Sequence, residues 1–160
     1  MIILVMILTG KNVTIMIELC MFSEVSSLPP YALKAEIDEI IWQLSRESQL
    51  IPINIKDMEY LYEESVILKR RFFSIEEGRD RRMDSIVRVI KKYAPTDKKT
   101  YEHVLILIQT SKDHPLIMSE LQNLNEITQG FSPKTEIRWG LGVNENLEDH
   151  LYMMIICSKK

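Results

Sequence analysis

The chain has 160 residues, of which 46% are hydrophobic and 27% charged, enough for one globular domain with a sizeable core. Its formal net charge of −3 gives no electrostatic reason to expect nucleic acid or an anionic membrane as a partner. The 2 cysteines and 3 histidines lack the spacing of a disulfide framework or a zinc site, so we expect no cofactor, no metal and a reducing, cytoplasmic compartment.

The first 22 residues predict a β-hairpin. Residues 1–9 are almost continuously apolar, and residues 13–22 alternate with period two after a tight turn at Gly10-Lys11-Asn12. Because Lys11 interrupts the apolar run, the run is too short for a membrane span of about 20 residues; a signal anchor is the alternative interpretation. We expect the hairpin and a linker, residues 1–30, to precede a single globular unit at residues 31–160.

A long helix and a short one are predicted after the linker. Residues 31–48 carry apolar side chains at helical spacing, at Leu33, Ile37, Ile40, Ile41 and Leu44. Residues 50–53 end this helix, and Asn54 is placed to cap a short helix with Asp57 at its third position. The apolar side of the short helix is expected from Met58, Leu61 and Tyr62.

The middle of the chain predicts a strand over residues 65–74 and a helix over residues 79–93. The apolar face of this helix holds Met83, Ile86, Val87 and Ile90. The same region contains a cluster of basic residues interleaved with acids: Lys69, Arg70, Arg71, Arg79, Arg81 and Arg82. The interleaving favours a solvated, salt-bridged surface over a phosphate or nucleic-acid site.

A second strand and helix follow. Residues 103–109 are apolar enough to predict a strand buried on both faces. Residues 111–113 are placed to cap a helix over residues 113–129, with Pro115 in its first turn and Gly130 as its stop.

Two runs of β-formers close the chain. Residues 135–143 and 150–157 flank a polar connector and predict a pair of adjacent strands at the end of a sheet. The elements together predict an α/β (α+β) domain with a mixed sheet of four core strands. We expect helices 79–93 and 113–129 on one face of the sheet and the long helix, residues 31–48, against the rest. The N-terminal hairpin is expected to pair with a sheet edge or with a second copy of itself.

The closing segment carries a distinctive set of residues: Ile137, Trp139, Gly140, Asn144, Glu145, Leu147 and Asp149. This run resembles the closing segment of the FtsZ family of bacterial tubulin homologues, where an aromatic-Gly strand leads through a D-E-x-L-G-D connector into a last apolar strand. Glu77, Gly78 and Arg81 match that family's G-E-G-x-x-R loop, and the order of strands and helices also matches. The resemblance runs from Ala35 to the end. It implies a stand-alone C-terminal domain of the FtsZ/tubulin family, with the GTPase domain absent.

The family's catalytic loop, L-I-N-x-D-x-x-D, falls on residues 50–57 of this chain (LIPINIKD). The resemblance implies that carboxylates of this loop reach the nucleotide of the next subunit in a filament and help to position the attacking water. Here Pro52 and Asn54 replace the loop's Asn and first Asp, and only Asp57 matches. Because neither proline nor asparagine can act as a carboxylate base, we expect Asn54 and Asp57 to be a catalytic-loop relic and assign no catalytic residue.

The function expected from this resemblance is that of a non-enzymatic protein-interaction module. None of the 5 glycines begins a glycine-rich phosphate loop, so GTP binding by this chain alone is not expected. The module would serve cell division or the cytoskeleton by self-assembly, as a homo-oligomer, or by docking on FtsZ or another filament-forming GTPase. One alternative is the activating half of a split GTPase that supplies the Asp57 carboxylate in trans. Another is a small-molecule-binding domain that shares only the fold, with its site between helix 31–48 and the sheet.

Overall fold

The computed structural model describes residues 7–9, 12–14, 20–74, 81–93 and 98–160. Its helices are α1 (Pro30–Glu47), α2 (Arg82–Tyr93) and α3 (Met118–Thr128). Its strands are β1 (Ile7–Thr9), β2 (Asn12–Thr14), β3 (Cys20–Glu24), β4 (Val66–Phe73), β5 (His103–Thr110), β6 (Glu136–Val143) and β7 (Tyr152–Lys159). Short 3₁₀ turns occur at Ile55–Asp57, Glu59–Glu63 and Glu145–Leu147.

The main sheet is mixed and runs in the order β3-β4-β7-β5-β6. β5 and β6 are parallel, and the other neighbours are antiparallel. The four predicted core strands are therefore confirmed. β3 adds a fifth strand beside β4, where Cys20 lies opposite Phe72, and the sequence did not predict it as a separate strand.

The predicted N-terminal hairpin is present as β1 paired antiparallel with β2. Ile7 lies opposite Thr14, and Thr9 lies opposite Asn12. The remainder of that prediction, including Gly10 and Lys11 of the turn, lies outside the described residues, as do the loop residues Glu77 and Gly78.

The core lies on both faces of the sheet. Leu105 and Leu107 of β5 pack against α1, whereas Ile106 and Ile108 pack on the side of α2 and α3, because neighbouring side chains of a strand point to opposite faces. Two helices therefore cover one face and the long helix covers the other, as predicted. Burial on both faces explains why β5 reads as an unbroken apolar run.

β6 and β7 are not adjacent, and the prediction that they pair is wrong. β5 lies between them, parallel to β6 and antiparallel to β7. The burial patterns give the physical reason. β7 is buried along nearly its whole length and needs a neighbour on each side, whereas β6 alternates between more and less exposed positions and suits the edge.

The basic cluster is not uniformly solvated. The Arg82 side chain is fully buried and donates hydrogen bonds to Glu120 at 2.5 and 2.9 Å. Lys69 is 5% exposed, and its ammonium lies 2.8 Å from Glu36. The interpretation as a salt-bridged surface is thus wrong for these two residues, each of which has an acidic partner more than thirty positions away in sequence. Arg79 lies outside the described residues.

α3 begins at Met118, five residues after the predicted start. The carbonyls of His114 and Pro115 accept hydrogen bonds from the Arg82 guanidinium, at 2.9 and 3.0 Å, and residues 111–117 are not helical. The helix end is as predicted, since Gly130 follows with a positive φ of 93°.

The short helix after α1 consists of two 3₁₀ turns. Met58 and Leu61 are fully buried, as expected. Tyr62 is 48% exposed, so its predicted place on the apolar side is wrong; its hydroxyl donates to Asp38 on α1 at 2.5 Å. Among the described residues, no helix has both the length and the apolar character needed to span a bilayer.

Candidate functional site

The loop over residues 48–57 is held between the end of α1 and the edge strand β6. The buried Ser48 hydroxyl donates to the Leu44 carbonyl at 2.6 Å and accepts from the Ile53 amide at 2.9 Å. Ile51 forms an antiparallel bridge with Leu141 of β6, with backbone hydrogen bonds of 3.0 and 3.1 Å. These contacts fix the loop relative to the sheet.

Two glycines of β6 allow this close approach. A Cβ atom at Gly142 would lie 1.7 Å from the Glu47 carbonyl oxygen at the end of α1. A Cβ atom at Gly140 would lie 2.7 Å from the Ile53 side chain and 2.9 Å from the Ile51 carbonyl oxygen. Backbone can therefore pack on β6 at these two positions only because no side chain stands there.

Asn54 and Asp57, the two predicted site residues, lie together on this loop. Asn54 is the residue before the 3₁₀ turn Ile55–Asp57, and its carbonyl, not its side chain, accepts the Asp57 amide at 3.0 Å. The Asn54 amide group instead lies 3.5 Å from Asp57 Oδ2. Asp57 Oδ1 lies 2.8 Å from Nη1 of Arg138 on β6. The proposed side-chain cap is thus absent, and Asp57 is part of an ion pair.

Arg138 completes the site and was not singled out in the sequence. It occupies the position between Ile137 and Trp139 on the edge strand, and its side chain is 47% exposed. With Pro52, Ile53, Asp57 and Trp139 it lines a cavity of about 230 Å³. The alternation of side chains along β6 predicts on which face of the sheet Arg138 lies. It does not predict the contact with Asp57, because that contact depends on where the loop lies.

The chemistry of this site is that of a charge-balanced pair at a surface. Asp57 Oδ1 lies 2.8 Å from the Arg138 guanidinium, so the carboxylate and the guanidinium balance each other's charge. The second carboxylate that a two-carboxylate loop would offer is an amide here, at Asn54. The loop therefore presents one carboxylate, and this carboxylate is paired with a guanidinium of the same chain.

Apolar side chains are exposed on the same loop. Leu50 is 58% exposed, Ile55 is 53% exposed and Ile51 is 37% exposed. On α1, which leads into the loop, Trp42 is 50% exposed. Three of these four exposed apolar side chains therefore lie within one loop.

The cleft between α1 and the sheet also contains a cavity, of about 230 Å³. Gln43 and Glu47 of α1 line one side, and Arg71, Gln109 and Tyr152 of the sheet line the other. Burial raises the pKa of the Tyr152 hydroxyl to about 12, so it is a neutral donor at physiological pH. Pockets for drug-sized ligands measure about 300–1,000 Å³, and this cleft is smaller.

The chain matches no protein-family model and no curated protein. Its structure is similar to that of a dimeric FtsZ from M. jannaschii, with a TM-score of 0.59 and 18% identity over 82% of this chain and 40% of the FtsZ chain. It is also similar to TubZ of Bacillus thuringiensis serovar israelensis in GDP-form protofilaments, with a TM-score of 0.51 and 9% identity over 84% of this chain and 38% of the TubZ chain.

A helical model of the TubZ-Bt four-stranded filament matches with a TM-score of 0.53 and 10% identity, over 79% of this chain and 34% of the TubZ chain. The chain therefore spans only about 40% of the length of the FtsZ chain and less of the TubZ chains. At these identities the likeness is one of fold. The fold is that of the FtsZ C-terminal domain, as the sequence resemblance predicted.

Proposed function

We propose that this chain is a non-enzymatic protein-interaction module that docks, through the loop at residues 50–57, onto a filament-forming GTPase of the FtsZ fold. One observation carries the proposal. The sequence resemblance gives this loop the place of the family's catalytic loop. Its remaining carboxylate, Asp57, is paired with Arg138 of the same chain, while Leu50 and Ile55 are more than half exposed. Structures of this fold include an FtsZ dimer and TubZ protofilaments, which supports assembly as its use.

Burial of the exposed apolar side chains would supply part of the binding free energy. Complete burial of a leucine or isoleucine is worth about 1.5–3 kcal/mol. Because Leu50 and Ile55 each retain a little more than half of their exposure, docking would gain on the order of 1 kcal/mol from each. The Asp57–Arg138 pair would then orient the partner without large gain in affinity.

The test is capture of the resident FtsZ from the cell that makes this chain, with matched surface variants. We expect wild type to retain FtsZ and Leu50→Asp to lose at least ten-fold in affinity. Met118→Asp is the control, because Met118 is an equally apolar side chain, 73% exposed, at the start of α3. Equal capture by Leu50→Asp and Met118→Asp would exclude the loop as the docking surface.

The split-GTPase alternative is favoured only by Asp57, whose side chain remains 33% exposed beside Arg138. If Asp57 supplied a catalytic carboxylate in trans, Asp57→Ala would abolish stimulation of the partner's GTP turnover. The interaction module predicts instead that Asp57→Ala leaves the partner's turnover rate unchanged. Isothermal titration with GTP tests whether this chain binds the nucleotide by itself. Both hypotheses predict no heat of binding from this chain alone, whereas a self-sufficient GTPase would bind GTP.

The cleft of about 230 Å³ beside α1 supports a small-molecule site less well than the loop supports a protein contact. Self-assembly is the remaining version of the proposal, and sedimentation of the chain without a partner tests it. We place the protein in the cytoplasm, the compartment in which filament-forming GTPases of this fold would meet it.

A further inference from the structure

Three buried polar side-chain atoms in the described part of the chain have no hydrogen-bond partner: Glu64 Oε2, His103 Nδ1 and Ser158 Oγ. All three belong to one end of the sheet. His103 begins β5 and lies opposite Ser158 of β7, and its Nδ1 lies 3.2 Å from Glu64 Oε1 without the alignment of a hydrogen bond. Unsatisfied buried polar groups are rare in native folds and commonly mark an ion or water.

Glu102 brings a second carboxylate to this place. One ligand atom each from Glu64, Glu102 and His103 lies within 4.8 Å of the other two. Exposure rises outward across the cluster, because the Glu64 side chain is 2% exposed, His103 is 24% exposed and Glu102 is exposed. The cluster is therefore an open site with a buried floor, accessible from solvent.

The surrounding structure holds the imidazole in place. The Tyr60 ring stacks on His103 with ring centroids 4.0 Å apart and planes 24° from parallel. Glu64 is fixed because it ends the 3₁₀ turn Glu59–Glu63 and its amide bonds the Leu61 carbonyl. Positioning of this kind reduces the entropy that ligands lose when they bind an ion.

We propose that Glu64, Glu102 and His103 form a binding site for a divalent transition-metal ion of the Zn²⁺ class. Imidazole nitrogen and carboxylate oxygen are ligands that such ions accept. Bonds of about 2.1 Å in tetrahedral geometry place ligand atoms roughly 3.4 Å apart, and the Glu64–His103 separation of 3.2 Å already fits. Glu102 Oε2 accepts a hydrogen bond from the Lys160 amide at 3.2 Å, and a carboxylate oxygen of Glu102 lies within 4.8 Å of the other two ligand atoms. Binding would therefore require a rotation of the exposed Glu102 side chain, with water in the remaining position.

The local charges favour a cation. The Glu64 carboxyl group is nearly fully buried, and a carboxylate oxygen of Glu102 lies within 4.8 Å of one of its oxygens. Glu63 and Lys160 lie close by as an exposed pair, 3.5 Å apart. An ion between the two carboxylates would offset both the burial of Glu64 and the repulsion from Glu102.

The test is isothermal titration of Zn²⁺ into the metal-free 160-residue chain. We expect saturable binding of one ion, weakened at least ten-fold by Glu64→Gln and by His103→Asn. Glu63→Gln is the matched control, because it makes the same substitution one residue away, on a side chain that is 74% exposed, and it should bind as wild type does. Far-UV circular dichroism confirms that each variant is folded.

A second readout needs no variant. In a long-range ¹H–¹⁵N spectrum, Zn²⁺ should shift the imidazole nitrogens of His103 before those of His114 and His150. Absence of saturable binding to wild type would overturn the site. So would equal affinity of Glu64→Gln and Glu63→Gln, or first shifts at another histidine, since each would mean adventitious zinc elsewhere on the chain.

Discussion

Replacement of Arg82 by methionine should destabilise the fold by about 3–5 kcal/mol, the usual cost of removing one partner from a buried ion pair. The Arg82 side chain is 0% exposed and that of Glu120 is 3% exposed. In Arg82→Met the Glu120 carboxylate would keep, within the described ranges, only the Ile117 amide as a hydrogen-bond donor, at 3.0 Å. The carbonyls of His114 and Pro115 would lose their donor as well.

The assay is urea unfolding, followed by circular dichroism and by tryptophan fluorescence, with the change in stability read from the midpoint at constant slope. Lys91→Met is the matched control. Lys91 also joins α2 to α3, through Glu126 at 2.7 Å, but the two side chains are 62% and 43% exposed. An exposed pair of this kind is worth about 0–1 kcal/mol, so the control should change the midpoint little.

The double variant Arg82→Met/Glu120→Leu measures the coupling free energy between the two side chains of the pair. Because it leaves no unpaired buried charge, we expect it to be more stable than the sum of the single variants predicts, by roughly 1–3 kcal/mol. The reasoning is refuted if Arg82→Met costs no more than Lys91→Met, or if the effects of the two single substitutions simply add.

Three further measurements test other parts of the structure. Gly142→Ala should lower the free energy of unfolding by about 1–3 kcal/mol through overpacking, and by more than Gly140→Ala does. The reason is that a Cβ at Gly142 would lie 1.7 Å from the Glu47 backbone, whereas the nearest neighbour of a Cβ at Gly140 is the Ile53 side chain. Equal unfolding midpoints of the two variants would contradict this. Burial raises the pKa of the Cys157 thiol to about 12 from 9.0, although Arg70 and Lys98 lower it. The reactive thiolate is therefore much rarer in the native chain than in the unfolded chain at pH 8. In a Cys20→Ser variant, a thiol reagent should react with Cys157 on the order of 1,000-fold more slowly in the native chain. Because the fold favours the neutral thiol, this group stabilises the protein below about pH 9 and that stabilisation should be lost as the pH rises toward 12, which unfolding midpoints across that range would reveal.

The sequence predicted the elements whose signals are local. The apolar stripe of α1 and the unbroken apolar run of β5 follow from spacing. Both are buried as expected, except that Leu33 at the start of the stripe is only partly buried. The errors occur where a distant residue decides the outcome. Residues 111–115 look like the start of a helix, but Arg82 takes two of their carbonyls from a position about thirty residues earlier.

The candidate sites show the same limit. Asn54 and Asp57 could be identified because they are near neighbours in a loop whose length matches a known pattern. Arg138 could not, since its contact with Asp57 depends on how the loop lies across β6. Glu64 and His103 are 39 positions apart, so no ligand spacing in the sequence connects them, although their atoms lie 3.2 Å apart.

The two glycines of β6 show why a fold can be recognised where identity is low. Gly140 and Gly142 place the end of α1 and the following loop in direct backbone contact with the edge strand. An added Cβ would displace that backbone, whereas most apolar core positions accept another side chain of similar volume. The overall identity to the FtsZ structure of the same fold is only 18%. The sequence resemblance depended instead on a few positions such as Trp139 and Gly140. The same contact sets the position of residues 50–57, so the proposed docking surface depends on two positions that contribute no side chain to it.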